Sequence, residues 1–337
     1  ILSILVNWFV ALGVSRAESR SARAKALLAV AVTANVLILF VAKYLTFVLG
    51  VIDRVGGVGF DVPFIPLPIG ISFFTFQAMS YVIDVYRGEP VQRSVLNVAF
   101  YISFFPQLLP GPIVRYTTFA DQIENRKESW RKFSSGIQRF VVGLGKKVLL
   151  ANTCGLIADR AFESVGDASA MLLWLGLVAY TLQIYYDFSG YSDMPIGLGR
   201  MFGFEFPENF NYPYVSKSIS EFWRRWHISL GTWFRDYVYF PLGGSRVATR
   251  RRLVFNLLVV WSLTGIWHGA NWTFFAWGLL YFVLIAVEKV WRGFGGSLAR
   301  SRVFGHAYTM FFVMMGWVVF RADGMSQALA YYAGLFG

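Results

Sequence analysis

From Leu253 to Val287 the chain carries no Asp, Glu, Lys or Arg, and that run limits the possible folds more than any other feature. A helix rises 1.5 Å per residue and the hydrocarbon core of a bilayer is about 30 Å thick, so roughly 20 apolar residues cross it once. The run is too long for one crossing. Near its middle lies TGIWHGANW, Thr264 to Trp272, with His268 close to two glycines. An imidazole so deep in apolar sequence is costly unless it is hydrogen-bonded or faces a water-filled cavity. Two readings follow, a buried structural histidine or a polar site.

Composition decides the solvent. With 56% hydrophobic, 18% aromatic and only 15% charged residues, the chain reads as an integral membrane protein, and its length predicts spans rather than soluble domains. Spans are expected at Ala26–Ala42, Ala168–Tyr186, both halves of Leu253–Val287, and Val303–Phe320. The net charge of +12 sits in short runs between apolar segments, not on one soluble face, so lipid headgroups explain it and nucleic acid does not. The basic connections Arg16–Lys25, Arg126–Lys132, Arg246–Arg252 and Lys289–Arg302 belong in the cytoplasm by the positive-inside rule, and the acidic Phe162–Ala170 belongs outside. The organisation expected is one transmembrane domain over residues 1–337, trimmed at both ends.

Along the chain, Ile1–Val14 reads as the tail of a helix and Ala26–Ile52 as a span with Lys43 able to snorkel. Asp53–Pro68 reads as an outer loop. Ile69–Tyr86 is amphipathic, with Gln77, Ser80 and Asp84 facing the protein. Proline and glycine at Pro106, Pro110, Gly111 and Pro112 break the apolar stretch that follows, and broken backbone at membrane depth requires cover from protein or water. In Phe133–Ile157, Arg139, Lys146 and Lys147 interrupt an apolar helix, either as snorkelling residues or as a site for an anion. Glu205–Arg252 is too polar to span and too aromatic for a free loop. It reads as a cytoplasmic-side re-entrant or interfacial pair of short helices. Interruptions at Gly265 and Gly269 predict two helices meeting near His268.

The chemistry begins with three histidines, His227, His268 and His306, and one cysteine, Cys154. No HxxxH pair and no cysteine cluster accompany them, so no metal site is expected; no GxSxG elbow suggests a serine hydrolase. A lone histidine acting as general base or acid remains, beside the structural alternative. His306 reads as interfacial. His227, flanked by Trp223, Arg224, Arg225 and Trp226, reads either as a headgroup anchor or as part of an anion site.

The strings FWRRWHISLGTWFRDYVYFPLGG and FNLLVVWSLTGIWHGANWTFFAWG, with SFFPQLLPGPIVR and QIYYDFSGYSDMPIGLGRMFGF upstream of them, resemble the membrane-bound O-acyltransferase family in its bacterial alginate O-acetyltransferase branch. The resemblance implies an all-α polytopic fold, a bundle of transmembrane and re-entrant helices around a central tunnel. It implies acetyl transfer from a cytoplasmic thioester, acetyl-coenzyme A, towards an extracytoplasmic polysaccharide such as alginate, directly or through a periplasmic SGNH-type acetyltransferase partner. The setting implied is the bacterial inner membrane, with lipid around the chain and no bound cofactor. His268 matches the essential histidine of the WHG segment, and His227 the histidine of RWH. Arg235, Asp236 and Tyr237 match the RDY element. One departure is Tyr281, which stands where relatives often carry a histidine. Beside these, Arg224, Arg225, Arg235 and Asp236 are donor-binding candidates, and Trp267 and Asn271 are candidates for donor binding or for hydrogen bonding to the oxyanion. The rival classes are a transporter or flippase of an acyl donor or polysaccharide precursor, D-alanyl-type transfer to a cell-wall polymer, and a scaffold for an export complex.

Overall fold

The computed structural model describes residues 1–57, 59, 65–108, 111–293 and 301–337. Pro110 and parts of the Asp53–Pro68 and Lys289–Arg302 connections lie outside the described residues. Every regular element among those described is helical. The chain forms two compact units, one of Ile1–Arg139 with Pro195–Pro207, the other of Phe140–Met194 with Glu208–Gly337.

The first unit begins with α1 (Leu2–Ser15), α2 (Ala22–Lys43) and α3 (Leu45–Gly56). Ser21 starts α2 by accepting a hydrogen bond from the Ala24 amide, which satisfies one of the amides a helix N-terminus leaves open. Asn7 on α1 and Asn35 on α2 exchange amide hydrogen bonds of 2.8 and 3.2 Å in the interior. Burying such a pair is tolerable because each amide partners the other. The span expected over Ala26–Ile52 is interrupted at Tyr44, whose φ of −115° opens the helical ladder. Lys43, next to the break, donates to Ser72. In α4 (Ile71–Tyr86), Gln77, Ser80 and Asp84 are buried, as their spacing predicts. The proline-rich stretch gives α5 (Val95–Ser103) and a single turn, α6 (Phe105–Leu108), before α7 (Tyr116–Asn125). Tyr81, Tyr101, Phe119 and Phe204 fill the core.

In the second unit the helix that began as α8 (Trp130–Gly145) continues through a π-helical turn, Lys146–Ala151, into α9 (Asn152–Glu163). The following helix, α10 (Ala170–Met201), comes so close at Gly143 and Gly190 that a Cβ on either would lie 2.6 Å from the other's carbonyl oxygen. The lysines beside this crossing neither snorkel nor stand open to an anion. Lys146 pairs with Asp193 at 2.6 Å and Lys147 with Asp187, because a carboxylate partner is the least costly place for an ammonium amid apolar residues. Short helices α11 (Ile219–Arg225) and α12 (Ile228–Phe234), a π-helical turn at Arg235–Tyr239, and the long α13 (Arg250–His268), α14 (Trp272–Gly293) and α15 (Arg302–Arg321) follow, with α16 (Met325–Phe336) last. The pair of short helices expected in Glu205–Arg252 is therefore α11 and α12.

Four helices among the described residues are long and apolar enough to cross a membrane: Ala22–Lys43, Trp130–Glu163, Trp272–Trp291 and Arg302–Arg321. The Trp130–Glu163 helix is not among the spans expected from the sequence. The Ala168–Tyr186 and Leu253–Trp267 stretches fold into α10 and α13 but fall outside this set. Gln183 and Asp187 on α10, and Arg251, Arg252 and Asn256 on α13, lower the mean hydropathy of these helices.

Candidate active site

The site is built where α13 turns into α14. Contrary to the expected interruption at Gly265, α13 runs unbroken through it. A Cβ at Gly265 would stand 2.5 Å from the Phe274 carbonyl oxygen, and one at Gly278 2.5 Å from that of Trp261. These glycines bring the two backbones into contact. α13 ends at His268, and Gly269 is extended, with φ −177°. Asn271 then opens α14: its Oδ1 accepts from the Thr273 amide at 3.1 Å and its Nδ2 donates to the Asp323 carbonyl at 2.8 Å. Donation from Asn271 to an oxyanion would use the remaining Nδ2 hydrogen.

His268 is partly exposed and lies in an aromatic box. Its ring centroid is 4.9 Å from Trp277, 5.1 Å from both Trp267 and Phe320, and 6.3 Å from Phe274. His227 arrives from the short-helix segment. It occupies the left-handed region, φ 46° and ψ 54°, just before α12, where a non-glycine residue is strained by about 1–3 kcal/mol. The Phe188 edge packs on the His227 ring at 4.7 Å and Trp267 lies 6.1 Å away. Trp267 is thus the ring against which both imidazoles rest. Burial pushes the His227 imidazole well below its ordinary range, and the His268 imidazole adds to the effect, so His227 is neutral.

Polar contacts hold this short segment in place. Glu288 of α14, 2% exposed, accepts from the Ile219 amide at 2.7 Å, the Ser220 amide at 2.9 Å and the Ser220 hydroxyl at 2.6 Å. A carboxylate at a helix start satisfies open amides from a distant part of the chain. Asn209 accepts from the His227 ring and from Ser229, and donates to Ser192. Neither Glu288 nor Asn209 stood out in the sequence. The signal available was a carboxylate at the end of a span and an amide in the irregular stretch before RWH.

Of the residues expected at the site, His227, His268 and Trp267 are brought together, with Asn271 at the start of the next helix. The charged candidates lie along α11 and after α12. Arg224 is exposed. Arg225 bonds Glu221 at 3.0 Å and the Asn211 carbonyl at 3.1 Å, and Arg235 pairs with its neighbour Asp236 at 2.7 Å. His306 faces the Ser216 carbonyl at 3.2 Å. Tyr281 is fully buried, with room for its hydroxyl because residue 316 is glycine. Among the described residues no group of three His, Cys, Asp or Glu converges as a metal site.

A histidine at a helix end, boxed by aromatic rings and backed by a second, buried histidine, within a helical membrane protein, is the arrangement to compare with known proteins. The chain belongs to the membrane-bound O-acyltransferase family, whose model matches residues 25–325. It is 43% identical over 98% of its length to the "Probable alginate O-acetylase AlgI" of Azotobacter vinelandii, covering 66% of that protein. It is 33% identical over 99% of its length to the peptidoglycan O-acetyltransferase of Helicobacter pylori, covering 69% of it. To the teichoic acid D-alanyltransferase of Bacillus subtilis it is 29% identical over 64% of its length, covering 58% of that chain. The chain therefore spans about two thirds of the length of the first two relatives.

Proposed function

We propose that the chain is the membrane core of an O-acyltransferase of the bacterial inner membrane. It takes an acetyl group from acetyl-coenzyme A on the cytoplasmic side and passes it towards an extracytoplasmic polysaccharide, directly or through a periplasmic SGNH-type partner. The observation that carries the reading is the meeting of His227 and His268 at the Trp267 ring, inside a family whose relatives are named for acyl transfer. Higher identity to an O-acetylase than to a D-alanyltransferase favours acetyl as the group moved.

His268 takes the proton of an acceptor hydroxyl as its oxygen attacks the thioester carbonyl. The tetrahedral intermediate then collapses, the carbon–sulfur bond breaks, and the proton passes from the imidazolium to the leaving thiolate. His227 presents an acceptor nitrogen to a second hydroxyl of the polysaccharide and so orients the one that attacks. Trp267 and the second Nδ2 hydrogen of Asn271 serve as donors to the carbonyl oxygen, and one such donor is worth about 3–4 kcal/mol in the transition state. Arg224, Arg225 and Arg235 offer guanidinium groups to the donor's phosphates, and Asp236 orients Arg235.

The test is thiol release from acetyl-coenzyme A by the full-length protein in proteoliposomes, comparing parent and His268→Ala with thermal stability followed in parallel. Release at the parent rate by folded His268→Ala would end the proposal. Flux of labelled donor without thiol release would replace it with a transporter.

A further inference from the structure

Around His227 the hydrogen bonds determine where the ring proton sits. The Asn209 side chain is 1% exposed and that of His227 2%, so water does not set their bonding. The backbone amide of Ser229 lies 3.2 Å from one terminal atom of the Asn209 side chain. An amide N–H can only donate, so that atom is the oxygen. The other terminal atom, the nitrogen, donates to the Ser192 hydroxyl at 3.0 Å. The oxygen then stands 3.1 Å from His227 Nδ1, and two acceptors do not bond. Nδ1 must carry the proton, and Nε2 is left with its lone pair. Nε2 is buried and has no hydrogen-bond partner. A bare buried acceptor is costly and calls for a ligand that donates.

The backbone agrees with this. The Asn209 carbonyl accepts from the Ile228 amide at 2.9 Å, so Asn209 grips the two residues after His227 with main chain and side chain together. That double grip holds His227 in its left-handed conformation, with the Phe188 edge fixing the ring plane. A purely structural asparagine would explain the grip but not the unpartnered nitrogen on the opposite side of the ring.

We propose that Asn209 is a positioning residue that locks His227 in its Nδ1–H tautomer and so presents a bare Nε2 to a hydroxyl of the acceptor other than the one that attacks. This rests on the reading of His227 as part of the acyl-transfer site. Ser192 completes the device by fixing the Asn209 amide against rotation. His268 on α13 is the titratable group that faces His227, and Phe188 on α10 presents an apolar edge.

The experiment uses the full-length protein in nanodiscs with 15N-labelled histidine, and the signal lost in His227→Gln is the one at issue. The expected parent spectrum shows His227 protonated at Nδ1. Asn209→Leu removes the acceptor, and a population protonated at Nε2 should appear. Asn209→Asp keeps the acceptor but adds a negative charge within hydrogen-bond reach, which favours the imidazolium. The acidic limb of the pH profile for thiol release from acetyl-coenzyme A should then move up by about one pH unit or more. A tautomer unchanged in Asn209→Leu, or an Asn209→Asp profile that superimposes on the parent, would overturn the proposal. If His227→Gln releases thiol at the parent rate, the reading of His227 as part of the site fails and the positioning role falls with it. If that variant is inactive while the Asn209 variants leave tautomer and profile untouched, only the positioning role falls.

Discussion

The two histidines at Trp267 are held in opposite ways. His268 ends a long helix, is partly exposed, and is surrounded by Trp267, Phe274, Trp277 and Phe320. His227 sits on strained backbone between two seven-residue helices, almost wholly buried, and is supported by Asn209 and, through α11, by Glu288. Aromatic rings surround His268, which in the proposed reaction gains and loses the proton. A polar network dictates the proton on His227, which suits a group that must stay neutral and accept. On the proposed reading the first transfers the proton and the second orients the acceptor.

The largest expected effect comes from breaking either side of that pair. His268→Gln and His227→Gln should each lower turnover of acetyl-coenzyme A by about 10²–10⁴-fold, the range for loss of a proton-transfer group. If the two act as a unit on one bound acceptor, the double variant should be scarcely slower than the worse single variant. A double loss equal to the product of the single losses, measured as initial rates of thiol release, would show independent roles.

Support of the His227 side is the next test. Glu288→Ala leaves the buried Ile219 and Ser220 amides without an acceptor, and about 2–4 kcal/mol of stability should be lost. Thermal unfolding in detergent reads it. Glu288→Gln, which keeps one acceptor oxygen, should recover part of the loss; equal losses in the two variants would mean that packing, and not these bonds, sets the effect. On the His268 side, Asn271→Ala removes a helix cap and should cost about 1 kcal/mol. Asn271→Asp restores the acceptor for Thr273 but not the Nδ2 donor. It should recover only the capping part of the stability, because a carboxylate oxygen then faces the Asp323 carbonyl, and the turnover of the folded variant reads the donor role.

The same contrast explains what the sequence disclosed. His268 was legible because an imidazole in a long uncharged run is conspicuous by its cost alone, and the helices on either side of it follow from the apolar run and from Gly269. His227 was visible through its aromatic and basic neighbours, but its left-handed backbone was not, since that conformation is imposed by Asn209, eighteen positions away. Glu288 reads in sequence as a charge at the end of a span; its function as a cap depends on α11, nearly seventy residues earlier. Lys146 and Lys147 read as exposed or anion-binding because nothing local shows that Asp193 and Asp187 on α10 come back to meet them. Gly265 looked like a break because glycine is a poor helix former, yet contact with α14 pins it inside the helix. Local pattern exposed the elements, while long-range pairing decided how the polar residues are used.

The last expected effect concerns pH and centres on His227. Burial holds its folded-state protonation well below the ordinary value of 6.5, with His268 adding to the shift. As pH falls through about 6.5, the unfolded chain takes up a proton at this position that the folded chain refuses. The unfolded state then binds more protons, so stability rises with pH across this range and is lost on acidification. The slope contributed is at most about 1.4 kcal/mol per pH unit, and it should be visible between about pH 5 and 6.5, above the range where most carboxylates titrate. His227→Gln removes the titrating group and should flatten the melting-temperature profile there. Asn209→Asp should flatten it too, because a carboxylate at Nδ1 repays the cost of charging the ring in the folded state. His268→Gln removes only the smaller contribution, so most of the slope should survive. A slope that persists in His227→Gln and vanishes in His268→Gln would reverse the assignment of the neutral partner, and with it the contrast between the two sides of Trp267.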